Sequence, residues 1–249
     1  MYGSRRRVGR VEIGRDSLDG SVAIVCSGEK GETRIALTFD DGPLIPYTEQ
    51  ISDALAAHGA RATFFVRGGA ITRNTSAVIE QARDAGHEIG NHTQNHSSLA
   101  GASPEEVEAE LSETHDLLFE LLGSKPRLVR PPYGRGSAAV DSCASALGYR
   151  ATVLWSISPS DWTMPPADKI VSSVLAGENP PQGEITEHCR YTLRSPLAGA
   201  IVLLHDGCAP GQHGESRFET VKAVRTLVPH LQSLGLQLVT VSELLESSV

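Results

Sequence analysis

The 249-residue chain contains no run of about 18 or more apolar residues, which excludes a membrane-spanning helix. It also has no excess of basic charge. A formal net charge of −8 leaves no basic face for phosphates, so nucleic acid is excluded as the main partner and an anionic membrane surface is disfavoured. The run Arg5-Arg6-Arg7 is the exception and reads as a solvated N-terminal arm. Cys26, Cys143, Cys189 and Cys208 include no C-x2-C pair, so no thiolate zinc site is written here. Their wide spacing reads as incidental thiols of a cytosolic protein rather than a disulfide framework, with two disulfides left open. No apolar h-region follows the arginines, because Arg10, Glu12, Arg15 and Asp16 interrupt the segment. The expected location is therefore cytoplasmic, with secretion as the alternative. There is no internal repeat and no low-complexity linker, and nothing in the composition speaks to oligomeric state.

What is present is an ordinary globular balance of 40% hydrophobic and 21% charged residues. A chain of this length buries a sizeable core without help, so a metal in it would be catalytic rather than structural. Residues 1–32 read as an irregular lead-in holding one apolar stretch, Val22 to Cys26. Residues 33–249 read as one domain in which short apolar runs alternate with helical patterns. Strands are expected at Arg34–Phe39, Ala62–Val66, Arg127–Arg130, Tyr149–Ile157, Gly199–Leu204 and Leu236–Thr240. Between them lie helical spacings, the clearest opening at Ser103-Pro104-Glu105-Glu106, a capping serine with proline at the first helical position. Such alternation predicts parallel strands joined by crossovers, an α/β fold. Residues 178–195 are rich in proline, glycine and charge and read as a surface insertion.

Polar residues gather just past the strands, where β/α barrels place their active sites. Asp40 and Asp41 end the first apolar run, and adjacent carboxylates there are costly unless something uses them. His92 and His96 are four apart; on one helical turn they would share a face and reach one ion. Arg130, before Pro131-Pro132-Tyr133, can pair with a carboxylate such as Asp40. His205 follows a buried strand and suits a general acid if Asp161 raises its pKa, while Trp162 and Leu203 would wall a small apolar slot. Taken singly, each of these is equally compatible with a turn, a solvated loop, a salt bridge or core packing.

Together, Thr38-Phe-Asp-Asp-Gly-Pro43, His92-Thr-Gln-Asn-His96, Arg130-Pro-Pro-Tyr-Gly134, Ser160-Asp161-Trp162 and Leu203-Leu-His205-Asp206 resemble, in order and spacing, the five motifs of the polysaccharide deacetylase family. The family is also called carbohydrate esterase family 4 or the NodB homology domain. The resemblance covers about residues 33 to 245 and implies a distorted (β/α)7-like, TIM-like barrel. It implies a divalent metal on Asp41, His92 and His96, with zinc the first expectation and cobalt, nickel or manganese compatible. Asp40 would be the general base, oriented by Arg130, and His205 the general acid, oriented by Asp161. The Tyr133 backbone N–H would bind the oxyanion, and Trp162 and Leu203 would hold the acetyl methyl. The implied partner is an N-acetylated amino sugar or glycan. Two departures bear on substrate: Ser158 stands where many members have a second acid, and the 178–195 insertion precedes the fifth motif. With no export signal visible, the reading leans to a small N-acetylated metabolite or sugar conjugate. The alternatives are an extracellular chitin or peptidoglycan N-deacetylase, a cyclic amide or imide hydrolase, and a non-catalytic sugar-binding domain.

Overall fold

The computed structural model describes residues 22–29, 33–179, 196–211 and 216–246. Eight strands are linked by parallel pairing: β1 (Ala23–Val25), β2 (Arg34–Asp40), β3 (Thr63–Val66), β4 (Glu88–Asn91), β5 (Leu128–Val129), β6 (Ala151–Val153), β7 (Ile201–His205) and β8 (Gln237–Leu238). Their order is β1-β6-β5-β4-β3-β2-β7, with β8 on the first residues of β2. The sheet curls until its ends approach. Ile157, beyond β6, bridges Val202 on β7, and Ser27, beyond β1, bridges Ala200. The expected distorted seven-stranded barrel is therefore the observed fold.

Helices α1 (Tyr47–Ala56), α2 (Ser76–Asp84), α3 (Pro104–Leu122), α4 (Ala138–Leu147), α5 (Ala167–Leu175), α6 (Phe218–Ser233) and α7 (Val241–Leu245) fill the connections. α3 starts as its sequence dictates. Ser103 Oγ accepts from the Glu106 N–H, the Glu106 carboxylate accepts from the Ser103 N–H, and Gly123 ends the helix in the left-handed region.

Period-two alternation sorts the strand residues between two layers. Ile35, Leu37 and Phe39 of β2 and Val202 and Leu204 of β7 join the layer under α1, α5 and α6. Phe39 and Phe64 stack there with ring centroids 5.1 Å apart; burying each such ring contributes roughly 1.5–3 kcal/mol. The alternate residues Ala36, Phe65, Leu128, Val153 and Leu203 fill the barrel interior with Trp155. Thr38, Asp40 and His205 share that interior face by the same alternation, and the register sets Asp40 opposite His205.

Three expectations change. Val22 to Cys26 is not irregular lead-in: it contains β1, which pairs with β6. The run Tyr149–Ile157 is not one strand. After β6 the chain crosses over, and Ser156 and Ile157 donate to Ile201 O while Leu203 donates to Ile157 O, which is how the barrel closes. Cys26 is not an incidental thiol but is disulfide-bonded, whereas Cys143 and Cys208 hold reduced thiols. Cys189 and the insertion from residue 180 to 195 lie outside the described residues.

Candidate metal centre and active site

Six non-glycine residues have positive φ among the described residues: Asp41, Thr93, His96, Tyr133, Ser160 and Met164. All lie in loops that follow β2, β4, β5 or β6. Each such conformation costs on the order of 1–3 kcal/mol, and such residues cluster where function demands an unusual chain path.

Asp41 turns at φ 75°, directly after β2. The turn is clasped from β7. Asp206 Oδ1 accepts from the Gly42 N–H at 3.2 Å, and Asp206 Oδ2 accepts from Thr48 Oγ1 at 2.7 Å. Only glycine fits at 42 and 207, since a Cβ would stand 2.0 Å from Asp206 Oδ2 and 2.2 Å from the Asp41 carbonyl carbon respectively. Burial pushes the Asp206 carboxyl up to about 7, helped by the Asp41 charge and opposed by the Thr48 bond.

The histidine segment after β4 is a non-helical turn, contrary to the shared helical face expected from the i, i+4 spacing. Its path is set by polar clamps. Asn91 points outward, donating to Leu111 O and Tyr149 Oη and accepting from the Thr93 N–H at 2.7 Å. Glu110 of α3 accepts from the Asn95 N–H, Asn95 Nδ2 and Ser97 Oγ, at 2.8, 3.1 and 2.9 Å. Burial opposes ionisation of Glu110, but these donors outweigh it and lower its pKa. Thus His96 is gripped through both neighbours.

This turn still brings the two imidazoles to Asp41. Asp41 Oδ1 lies 3.5 Å from His92 Nε2 and 3.2 Å from His96 Nε2, and one ligand atom from each of the three residues lies within 4.8 Å of the others. All three side chains are buried. His92 Nδ1 is 2.7 Å from Arg130 O, an atom that only accepts, so Nδ1 carries the proton and Nε2 presents its lone pair. Burial drives the His92 pKa down to about 3, with His96 adding to the fall and Asp41 opposing it; burial likewise lowers His96 against the pull of Asp41. Asp41 Oδ1 has no hydrogen-bond partner. An orphaned carboxylate oxygen facing the His92 Nε2 lone pair is repulsive unless a cation lies between them, and His96 Nε2 stands beside it as a third donor atom, so the residues present fit a divalent ion.

Arg130 is wholly buried and threads the barrel interior. Nη1 donates to Asp40 Oδ1 at 2.7 Å and Thr38 Oγ1 at 2.8 Å, while Nε and Nη2 donate to Val153 O and Leu154 O. Its guanidinium carbon lies 4.1 Å from the Phe65 ring centroid. Burial raises the Asp40 pKa and Arg130 pulls it back. On the neighbouring strand, His205 Nδ1 bonds Asp161 Oδ1 at 2.8 Å and its N–H donates to Asp161 Oδ2 at 2.9 Å. Thr220 Oγ1 also donates to Oδ2. Burial alone would lower the His205 pKa; Asp161 outweighs it and the net direction is upward.

Tyr133 adopts φ 59° and sets its ring edge-on to His96, centroids 4.8 Å apart. Leu203 is buried two residues before His205, and Trp162 is 42% exposed beside Asp161. All the residues singled out in the sequence thus lie at the carboxyl ends of the strands.

Comparison with known proteins agrees with this geometry. The sequence profile of the polysaccharide deacetylase family matches residues 27–152. A peptidoglycan-N-acetylglucosamine deacetylase of Bacillus cereus is 37% identical over 233 residues, 93% of this chain and 97% of that protein. The chain belongs to the polysaccharide deacetylase family. As a member it is a metal-dependent N-deacetylase, a hydrolase of amide bonds on sugars. A chitooligosaccharide deacetylase of Bradyrhizobium is also 37% identical, over 84% of this chain and 89% of that one. Among solved structures, the Bc1960 peptidoglycan N-acetylglucosamine deacetylase superposes with a TM-score of 0.75 at 29% identity, covering 91% of this chain and 94% of that one.

Sequence reasoning overlooked the supports of this deacetylase site: Asn91, Glu110, Thr48 and Asp206. The Asp206 signal was present in the fifth motif, one residue past His205. Glu110 carried none, because a glutamate inside a helix reads as solvated surface. Glu110→Gln would set an amide N–H₂ against the Asn95 donors. Divalent-ion affinity, measured by chelator competition, should fall roughly 10- to 100-fold, the usual effect of losing a partner that orients a metal ligand.

Proposed function

We propose that this enzyme removes N-acetyl groups from the amino sugars of a glycan, with zinc as its resident ion. The observation that carries the reading is the register of β2 and β7, which sets a candidate base, Asp40, beside a candidate acid, His205, next to the His92–His96–Asp41 cluster. Two imidazoles and a carboxylate suit zinc first; cobalt, nickel and manganese accept the same donors.

A divalent ion bound there supplies Lewis-acid polarisation of the acetyl carbonyl and makes water more acidic. Asp40 takes the proton of the attacking water, and Arg130 keeps that carboxylate ionised and aimed. The Tyr133 backbone N–H donates to the oxygen as negative charge builds on it. His205 gives its proton to the departing nitrogen while Asp161 holds the ring in place. Leu203 and Trp162 receive the acetyl methyl. Acetate and a free amine leave.

The relatives named above act on glycans, so they lend no support to the lean toward a small metabolite; a glycan substrate is the better reading. The Cys26 disulfide supports secretion over the cytoplasm, because such bonds persist in oxidising compartments. Alkylation without reductant would then label Cys143 and Cys208 and spare Cys26. The function is tested by acetate release from glycan strands, chitooligosaccharides and soluble N-acetylglucosamine, run beside a cyclic-imide ring-opening assay. Acetate from glycans supports the proposal; ring opening without acetate overturns it.

The pH profile tests the acid. Asp40 must be ionised and His205 protonated, so kcat/KM should fall on the acid side as Asp40 gains a proton and on the basic side as His205 loses one. Asp161→Asn removes the charge that raises the His205 pKa, so the basic limb should move to lower pH. An unmoved basic limb would assign that limb to another group.

A further inference from the structure

Arg67 follows the last residue of β3, at the same end of the barrel as the metal cluster. Its segment is stitched to the site: the Arg67 N–H donates to Gly42 O, the Gly68 N–H to Thr93 O and the Gly69 N–H to Gln94 O. The guanidinium reaches alongside Gly69, with Nη1 3.1 Å from where a Cβ would stand on that residue.

The Arg67 guanidinium nevertheless makes no ion pair among the described residues, and its Nε is buried with no hydrogen-bond partner. Exposed arginines such as Arg73 and Arg225 also lack ion pairs among the described residues, but water reaches them; Arg67 differs in that its Nε is buried. A buried donor left without a partner is costly, and a fixed positive charge beside a divalent-ion site repels that ion. Both costs are offset if an anion docks on the guanidinium when substrate is bound.

We propose that Arg67 is a specificity residue that binds a carboxylate carried by the glycan next to the sugar being deacetylated. The proposal rests on the glycan deacetylase reading and deepens it. The planar guanidinium fork matches a carboxylate. A peptidoglycan strand freed of its stem peptides carries lactyl carboxylates between its N-acetylglucosamine units, whereas a chitooligosaccharide is neutral. The two relatives named for these substrates are equally similar to this chain, so overall identity does not separate them. Arg67 does: it selects the acidic glycan.

The test compares kcat/KM on peptide-free peptidoglycan strands, the same strands with methyl-esterified carboxyls, and chitooligosaccharides of matched length. The wild-type enzyme should prefer the free-acid strands. Arg67→Met should reduce the ratio of free-acid to esterified activity roughly 10- to 100-fold, the effect expected of one charge-assisted hydrogen-bonded contact. Arg67→Lys should restore part of that ratio, and added salt should erode it in the wild type. A merely structural role would lower all three activities together and leave the ratio alone; a ratio within twofold of wild type overturns the proposal. So does a change confined to product inhibition by acetate, which would place acetate on Arg67 instead. Absence of acetate release from every substrate by the zinc-loaded wild type would refute the deacetylase reading itself, a separate failure.

Discussion

Asp40→Asn should lower kcat/KM by roughly a hundred- to ten-thousandfold while leaving metal content unchanged. The magnitude is that of losing a general base from a water-activating site. The substituted amide oxygen would still accept the 2.7 Å hydrogen bond from Arg130 Nη1, so the side chain keeps its place and loses only its charge and basicity. The metal cluster is left intact because Asp41, His92 and His96 offer its ligand atoms, while Asp40 lies beside them with one oxygen held by Arg130. The buried guanidinium would lose its counter-ion. It retains Thr38 Oγ1 and the carbonyls of Val153 and Leu154, so the stability cost should stay below the ~3–5 kcal/mol typical of breaking a buried pair outright. Asp41→Asn is the contrasting variant: it should lose ion and activity together. Metal analysis beside kinetics separates the two, and near-full activity in Asp40→Asn would move the base elsewhere.

The carboxylate pair also shows which features a sequence exposes. Asp40-Asp41 is readable because two acids after an apolar run conflict with burial, and a conflict of that kind advertises a use. The barrel is readable because strand and helix periods alternate along the chain, and the α3 start because its capping box is local. What escapes is decided between distant segments. Spacing alone puts the His92–His96 pair on a helical face. The actual turn is dictated by Asn91 and by Glu110 on α3, partners that no local pattern reveals. The run through Ile157 is mostly apolar and so looks like one strand, yet its second half pairs with β7 because the barrel must close there. β1 is hidden by its shortness, three residues paired with β6 among the described residues. The Cys26 disulfide is hidden because spacing does not encode which thiols meet in space.

Stripping the ion should abolish activity without unfolding the chain. Chelation followed by dialysis should leave acetate release at background, and one equivalent of zinc should restore it, with cobalt restoring part. The fold should persist because the packed layers around Phe39, Phe64 and Val202 and around Phe65 and Leu203 contain none of the ligands. Circular dichroism should therefore be unchanged, and the melting temperature should rise on reloading only by the linkage of ion binding to the native state. Proton counting gives a sharper check. Burial holds His92 near a pKa of about 3, so that imidazole is neutral at pH 7 before the ion arrives, and burial pushes His96 in the same direction. Zinc uptake should then release almost no protons from them, and calorimetric heats measured at pH 7 in buffers of different ionisation enthalpy should count no more than the one proton that water acidified by the ion can supply. Release of clearly more than one proton per ion would mean that a histidine is charged in the free enzyme, and that the cavity around Asp41 is wetter than its buried, unpartnered oxygen implies.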